Sequence, residues 1–391
     1  MNKALLLPNM VGFPALSMER YANELHASLQ RVSGGDWVVE RMECGMAETV
    51  ARFVPGEQGE KWASRAGRFV KYPQVARQAA KQNVADVYHV LDHSHANLVG
   101  ALPGEHSVIT CHDVIPYLAA MGKIPMASGR LTRYTFPQRV RWMQRCRFII
   151  ADSDSTKRDL NEHFGVPMEQ VVTVYPGLNP FFAPLPDGGE EERDTESRAI
   201  REKWGIPADA RIIFQLATPL RYKNTPTLLR AFHRLQQKRM DRKVWLVRGG
   251  GPFFPDEEAL IGELNIGDGL IHVGRIPDDA ALAAFYRMAD VLAFPSLYEG
   301  FGWPPLEAMA CGTAVVTSNA ASLPEVVGDA GMTVPPLDDE ALAEALYCVL
   351  TDEPLRRSLQ QKAVLQAAKF TWDNCARDTL AVYRRVVEGV A

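Results

Sequence analysis

Short apolar runs alternate with longer amphipathic ones along the whole chain, and that alternation restricts the fold more than any other feature. A strand buried on both faces reads as a continuous apolar run, and a parallel neighbour needs a long crossover, usually a helix, to reach it. The first half offers "ALLLP", "WVVERM", "DVYHVL", "HSVITCHD", "RFIIAD" and "VVTVYPG" as strands. Among them lie "SMERYANELHASLQRV", with apolar residues at helical spacing, and "STKRDLNEHFG", which opens on a hydroxyl cap and closes on glycine. The alternation restarts with strands "RIIFQLAT", "KVWLVRGGG", "LIHVG", "VLAFPS" and "TAVVTS", separated by helices such as "TPTLLRAFHRLQQKRM" and "DDAALAAFYRMA". The pattern predicts an α/β protein of two Rossmann-like doubly wound domains in tandem. Their carboxyl strand edges, where open sheets bind ligands, are expected to face a central cleft.

Length agrees with two domains, since 391 residues exceed one ordinary core at about 150 residues per domain. "DGGEEERDTESR" is glycine-rich and acidic, so it is expected to be a solvated linker separating domains at 1–186 and 187–366. A net charge of -4 gives no reason to expect nucleic acid. Cys44, Cys111, Cys146, Cys311, Cys348 and Cys375 form no C-x-x-C pair. That disfavours a zinc site and a disulfide framework and fits a reducing cytoplasm. "MNKALLLPNMVG" is interrupted by Pro8 and Asn9, so it reads as a first buried strand and not as a signal peptide. No run approaches the ~18 apolar residues of a membrane span, so any membrane contact is expected to be peripheral.

The chemistry concentrates after "VLAFPS", in "LYEGFGWPPLEAMACG". Pro304 or Pro305 occupies the first turn of a helix that Gly312 ends. Such a strand-loop-helix presents unpaired N–H groups and a positive dipole end, suited to a phosphate or a sugar oxygen. Gly300 and Gly302 let the backbone come close, and Glu299 and Glu307 can each take paired hydroxyl hydrogen bonds. By themselves the two glutamates read equally well as an acidic helix start and a solvated loop charge.

The longer run "ADVLAFPSLYEGFGWPPLEAMACGTAVVTSNAASLPEVVGDAG" resembles the E-x7-E region of retaining glycosyltransferases of family 4, which have the GT-B fold and use nucleotide-sugar donors. "CHDVIPY", "ADSDSTKRDL" and "FTWDNCARDTLAVYRRV" resemble other segments of that family, whose closing helix returns to the first domain; residues 367–391 are assigned there on that ground. The resemblance implies that Glu307 holds the ribose hydroxyls of the donor, and that Glu299 holds hydroxyls of the transferred sugar near C3 and C4. It gives the amides of Gly300, Phe301 and Gly302 to the sugar and phosphates. In "LATPLRYKNTPTLLRAF", Lys223 and Arg221 are the implied cations for the departing diphosphate, although Tyr222 stands where the family places its arginine. Gly250 in "RGGG" and Gly12 in "NMVGFP" are further implied donor contacts, and His112 is implied to hydrogen-bond the sugar at the donor–acceptor junction. Asp113 is expected to orient its loop. No carboxylate in the first half clearly qualifies as a nucleophile. The resemblance implies a front-face displacement, in which a donor phosphate oxygen takes the acceptor proton and the configuration is kept, without cofactor or metal.

Two patterns are expected to be bystanders. "DSD" at Asp152 to Asp154 reads as a helix cap, and "HVLDHSH" would put His93 and His95 on one face of a strand without further metal ligands. The first strand carries no G-x-G-x-x-G, against a dinucleotide-dependent dehydrogenase. "KWASRAGRFVKYPQVARQAAK" and "RLTRYTFPQRVRWMQRCR" mix basic residues (Arg130, Arg133, Arg139, Arg141, Arg145) with Tyr134 and Trp142. They read as solvated helix faces or as a cationic surface for an anionic or lipid-linked acceptor at the inner face of a membrane. "CHDVIPY", "RYKN" and "EGFGWPPLEA" look most like bacterial mannosyl- and rhamnosyltransferases of polysaccharide assembly, which points to GDP-mannose and a glycan acceptor. The alternatives are a nucleotide-sugar epimerase on the same scaffold and a catalytically silent binding subunit.

Overall fold

A computed structural model describes residues 1–10, 16–45, 63–82, 84–129, 131–185 and 190–389. Its contacts divide the chain into two compact units, one of Met1–Met121, Ser128–Gly177 and Thr371–Ala391, the other of Gly122–Ala127 and Leu178–Phe370. The boundaries fall after Gly177 and Phe370, not after residues 186 and 366.

In the first unit, strands β1 (Asn2–Leu7), β2 (Trp37–Arg41), β3 (Val87–Val90), β4 (Ser107–Cys111), β5 (Phe148–Ala151) and β6 (Val171–Thr173) form one sheet in the order β2-β1-β3-β4-β5-β6. Every pairing is parallel. β3, β4 and β5 are buried at every position, as expected of strands covered on both faces. Chain order reverses between β1 and β3, so the loops leaving them open a crevice at the carboxyl edge. The closing helix, Trp372–Glu388, packs on helix Leu16–Val32 and on β3. Its Trp372, Cys375, Ala376, Thr379, Leu380, Tyr383 and Val386 are buried at helical spacing. The Tyr383 hydroxyl meets His89 Nδ1 at 2.7 Å, and His89 Nε2 meets Thr110 Oγ1 at 2.8 Å. Burial, helped by the charge of His112, pulls His89 down to about 3, so this ring is a neutral bridge.

In the second unit, β7 (Arg211–Ala217), β8 (Val244–Gly250), β9 (Leu270–Gly274), β10 (Val291–Phe294), β11 (Ala314–Ser318) and β12 (Met332–Val334) form a parallel sheet in the order β12-β11-β10-β7-β8-β9. Ala314 and Val316 of β11 join a cluster with Phe232 and Leu235 of helix Thr225–Gln236 and Leu346 and Val349 of helix Asp339–Thr351. The intervening Val315 is also fully buried and faces the other way, so helices cover both sides. The reversal lies between β7 and β10.

Two expectations are corrected. The acidic stretch is not a linker: Glu190–Trp204 is a helix packed against helix Asp279–Met288. Glutamate and arginine are strong helix formers, and Glu196 anchors the helix by accepting two bonds from Arg287 at 2.9 and 2.8 Å. His93 and His95 are not on a strand, because β3 ends at Val90 and His93–Ala101 is a 3₁₀ helix capped by Asp92. Among the described residues, no helix is long and apolar enough to cross a membrane.

Candidate active site

The loops leaving β7 and β10 sit where the second sheet's order reverses, and the chain staples them together. β7 runs into a 3₁₀ turn, Arg221–Lys223, and then into Asn224, whose φ of 57° starts the next helix. Asn224 Nδ2 donates to Pro295 O at 2.9 Å, and Leu297 N donates to Tyr222 O at 2.7 Å. The outcome is an ion pair between Lys223 Nζ and Glu299 Oε1 at 2.7 Å, with both side chains about nine-tenths buried. Lys223 Nζ also lies 5.0 Å from the centre of the Phe294 ring.

Behind Glu299, Ser322 Oγ reaches the carbonyls of Glu299 and Phe301 at 2.9 and 2.6 Å, fixing the loop from inside. Gly302 precedes helix Trp303–Ala310 with φ 118°, a value side-chain-bearing residues rarely adopt, and a Cβ there would meet Leu323 Cδ2 at 3.0 Å. Pro304 and Pro305 fill the first turn, where no N–H partner is needed. Glu307 sits one turn in, buried, and its Oε2 accepts from the Tyr286 hydroxyl at 2.9 Å. Burial and the adjacent Glu307 carboxylate push the Tyr286 phenol well above its ordinary value, so it stays a donor.

Not every expected residue joins this cluster. Arg221 turns outward, pairing both terminal nitrogens with Asp256 at 2.8 and 3.0 Å and stacking 4.4 Å over Phe254. Gly250, with φ 109°, is explained by the chain itself, because a Cβ there would lie 2.1 Å from Ala217 O. Gly300 lies in the loop beside Glu299, and Phe301 is buried against Trp303 and Phe370. Gly12 and Arg130 lie outside the described residues.

In the first unit, His112 follows β4 and is buried. Its Nδ1 is 2.6 Å from Asp152 Oδ2 and its Nε2 is 2.9 Å from Leu91 O. Burial alone would pull this ring down, but Asp152 outweighs it and, with Asp92 and the Leu91 carbonyl, holds His112 up at about 9. A ring whose nitrogens face a carboxylate and a carbonyl is protonated at both. His112 is therefore a fixed cation, and a bond to a sugar would have to replace the one to Leu91 O. Asp113 Oδ1 accepts from Ile115 N at 2.8 Å, as expected of a loop-orienting residue. Burial lifts Asp113 to about 6. Across the crevice, Asn9 Nδ2 donates to Asp92 Oδ2 at 2.8 Å. Burial works against the charge of Asp92, but His93, His112, Ser94 N and Asn9 together hold it below the usual carboxylate range.

The D-S-D triplet splits: Ser153 caps the helix by accepting from Thr156 N at 3.0 Å, Asp154 receives Thr173 Oγ1, and Asp152 serves His112. Sequence reasoning therefore missed Asp152, along with Asn224, Tyr286 and Ser322, none of which carries a local signal for its partner. Among the described residues, no group of three or more His, Cys, Asp or Glu side chains is placed to hold a metal ion.

Residues 18–180 match the model of glycosyltransferase family 4, and residues 196–366 match that of glycosyl transferases group 1. The chain is 29% identical to the serotype-specific mannosyltransferase WbdA of Escherichia coli over 81% of its own length, and it spans only 39% of that protein. It is 31% identical to the D-inositol 3-phosphate glycosyltransferase of Kineococcus radiotolerans, covering 79% of this chain and 74% of that one. Sucrose-phosphate synthase from Thermosynechococcus elongatus superposes with a TM-score of 0.73 at 21% identity, over 100% of both chains. The two parallel six-stranded sheets are those of the GT-B fold. The chain belongs to glycosyltransferase family 4.

Proposed function

We propose that the protein moves a sugar, mannose from GDP-mannose as the leading donor, from a nucleotide sugar to a hydroxyl of a glycan or lipid-linked acceptor in polysaccharide assembly, keeping the anomeric configuration. One observation carries this reading: the buried Lys223–Glu299 pair, held by the loops that leave the two strands flanking the switch point. An ammonium there is poised for a diphosphate, and the adjoining carboxylate for sugar hydroxyls. The loop amides of Gly300, Phe301 and Gly302 and the amino end of helix Trp303–Ala310 would add donors to the same anion. Lys223 would thus supply the charge that a bound metal supplies elsewhere, and the reaction needs no cofactor. Similarity to a mannosyltransferase supports the choice of sugar.

The acceptor oxygen would bond to the anomeric carbon as the bond from that carbon to the diphosphate oxygen breaks. The electron pair leaves with the nucleoside diphosphate, and the acceptor proton passes to a donor phosphate oxygen. His112, donating from both nitrogens, is unsuited to take that proton, which supports the substrate-assisted route. It is proposed to meet the transferred sugar as a cationic donor. Thermal-shift measurements with UDP, GDP, ADP and dTDP should show the largest rise with GDP, followed by mannosyl transfer. Donor consumption without acceptor would instead indicate an epimerase, and nucleotide binding with neither a silent subunit.

Glu307→Ala is expected to weaken nucleotide binding by about tenfold to a hundredfold, the worth of one or two hydrogen bonds to a carboxylate. Calorimetric titration checks this, and an unchanged affinity would remove Glu307 from the ribose.

The acceptor is proposed to be reached at the cytoplasmic face of a membrane. In the first unit Phe69 (59%) and Val70 (53%) are exposed beside Arg68 and Lys71, and Leu131 (70%) and Tyr134 (63%) beside Arg133. Apolar side chains among cations suit an anionic interface. Vesicles containing phosphatidylserine should sediment the protein, less so as salt rises. Sedimentation that is absent or indifferent to salt would exclude the contact.

A further inference from the structure

We propose a second anion site in the second unit, at the amino edge of its sheet, that takes a small phosphate-bearing anion. The amino ends of β7 and β10 open there into a cavity of about 750 Å³, lined by eight arginines and three carboxylates. Just outside the lining, Glu196 pairs with Arg287 and Glu353 with Arg357, which still leaves more cations than carboxylates about this space in a chain of net charge -4. That volume falls within the usual range for small-molecule sites. β7 has seven residues, which at about 3.3 Å each separates this cavity from the Lys223 end of the strand by roughly 20 Å.

Three of the arginines lean on Asp290, with Asp209 also acting on Arg201 and Glu353 on Arg356. Arg211 Nη1 pairs with Asp290 Oδ1 at 2.9 Å, Arg356 Nε stands 4.0 Å from the same oxygen, and Arg201 draws on Asp290 as well. Asp290 is itself divided, since its Oδ2 accepts from Ile212 N at 2.8 Å. The remaining bonds are to dipoles: Arg201 Nη1 donates to Pro207 O and Ala210 O at 2.7 and 3.2 Å, and Arg356 Nη1 to Val349 O and Leu350 O at 3.1 and 3.3 Å. Carbonyls orient a guanidinium without cancelling its charge, and Arg211 Nε is buried with no hydrogen-bond partner. Burial draws both Arg201 and Arg356 downward, and repulsion from Arg211 adds to it at Arg356, more than Asp290, Asp209 and Glu353 restore. Structural arginines normally come with matching carboxylates. Planar guanidinium forks converging on one space match phosphate oxygens, and Arg198, exposed on the wall, can reach an anion without serving the fold.

Inorganic pyrophosphate is the probe, titrated calorimetrically at constant ionic strength into the parent, into Lys223→Ala and into the charge-reversed pair Arg198→Glu/Arg242→Glu, whose native side chains are both on the surface. One pyrophosphate should bind in Lys223→Ala with unchanged affinity, and at least about tenfold more weakly in the charge-reversed pair. This readout needs no transfer activity, so it stands or falls apart from the proposed reaction. Binding lost in Lys223→Ala would place the anion at the loop ammonium. Binding indifferent to the reversed charges, or absent from the parent, would equally overturn the second site.

Discussion

Truncating Glu299 to alanine is expected to lower the transfer rate by about a thousandfold while leaving nucleotide affinity within about threefold. Two losses combine. The carboxylate proposed to seat the transferred sugar disappears, and misplacing a reacting carbon by about 1 Å alone costs on the order of 10²-fold. Lys223, about nine-tenths buried, also loses the oxygen 2.7 Å from its ammonium. The ammonium can still follow a bound diphosphate, which spares nucleotide affinity, but it is no longer fixed where charge develops as the glycosidic bond breaks. Removing a fixed stabiliser of developing charge costs about 10²–10³-fold. Breaking a buried pair also destabilises the fold, by about 3–5 kcal/mol, so urea unfolding must accompany the assay. Glu299→Gln separates the contributions: it keeps the shape and one acceptor oxygen, and should recover much of the stability but little of the rate. A Glu299→Ala protein that loses nucleotide affinity as Glu307→Ala does would overturn the division of roles between the two carboxylates.

The fold was legible because parallel strands buried on both faces leave an apolar run whatever surrounds them. β1 to β11 all coincide with such runs. β12 does not, since Met332–Val334 has only three residues and no period to read. The acidic helix Glu190–Trp204 was misread because its polar face dominates its composition, and what holds it is the distant Arg287. The 3₁₀ helix at His93 was invisible to strand periodicity because Asp92 turns the chain with its own side chain, accepting from Ser94 N at 2.6 Å. Around the site, the loops after β7 and β10 were marked by glycines, prolines and charges, so Lys223 and Glu299 could be singled out. Their meeting depends on strand order, which local pattern does not encode. Arg221 shows the limit, because one residue of displacement along a 3₁₀ turn points it at Asp256. Asp152 lies 40 residues from His112, and its neighbours Ser153 and Asp154 supply a sufficient capping reading, so nothing local pointed across the sheet.

Asp152→Asn is expected to turn His112 from a cation into a neutral ring at pH 7 and to lower transfer there by about 10²-fold, the scale of losing one charged stabiliser. His89 and His93 show what burial does where such a carboxylate is absent or less effective, sitting at about 3 and about 4. His112 stands at about 9 chiefly because Asp152 lies 2.6 Å from Nδ1, with Asp92 and Leu91 O adding to it. The groups around it are Asp92, Asp113, His93 and Tyr21, whose ring meets it edge-on at 4.8 Å, and with Asp152 neutralised the expectation is that burial outweighs what Asp92 and Leu91 O contribute. The sign follows from linkage. A histidine held above its unfolded value of 6.5 contributes stability that is complete below 6.5 and lost as pH rises through about 9. Parent activity and stability should therefore share an alkaline limb near 9, and the variant should lose that limb from both. Nitrogen-15 spectra of the ring give the readout that a packing defect would not produce, with both nitrogens protonated at pH 7.5 in the parent and one in the variant. An Asp152→Asn protein that keeps the doubly protonated ring and the same pH profile would show that Leu91 O and Asp92 suffice to hold the charge.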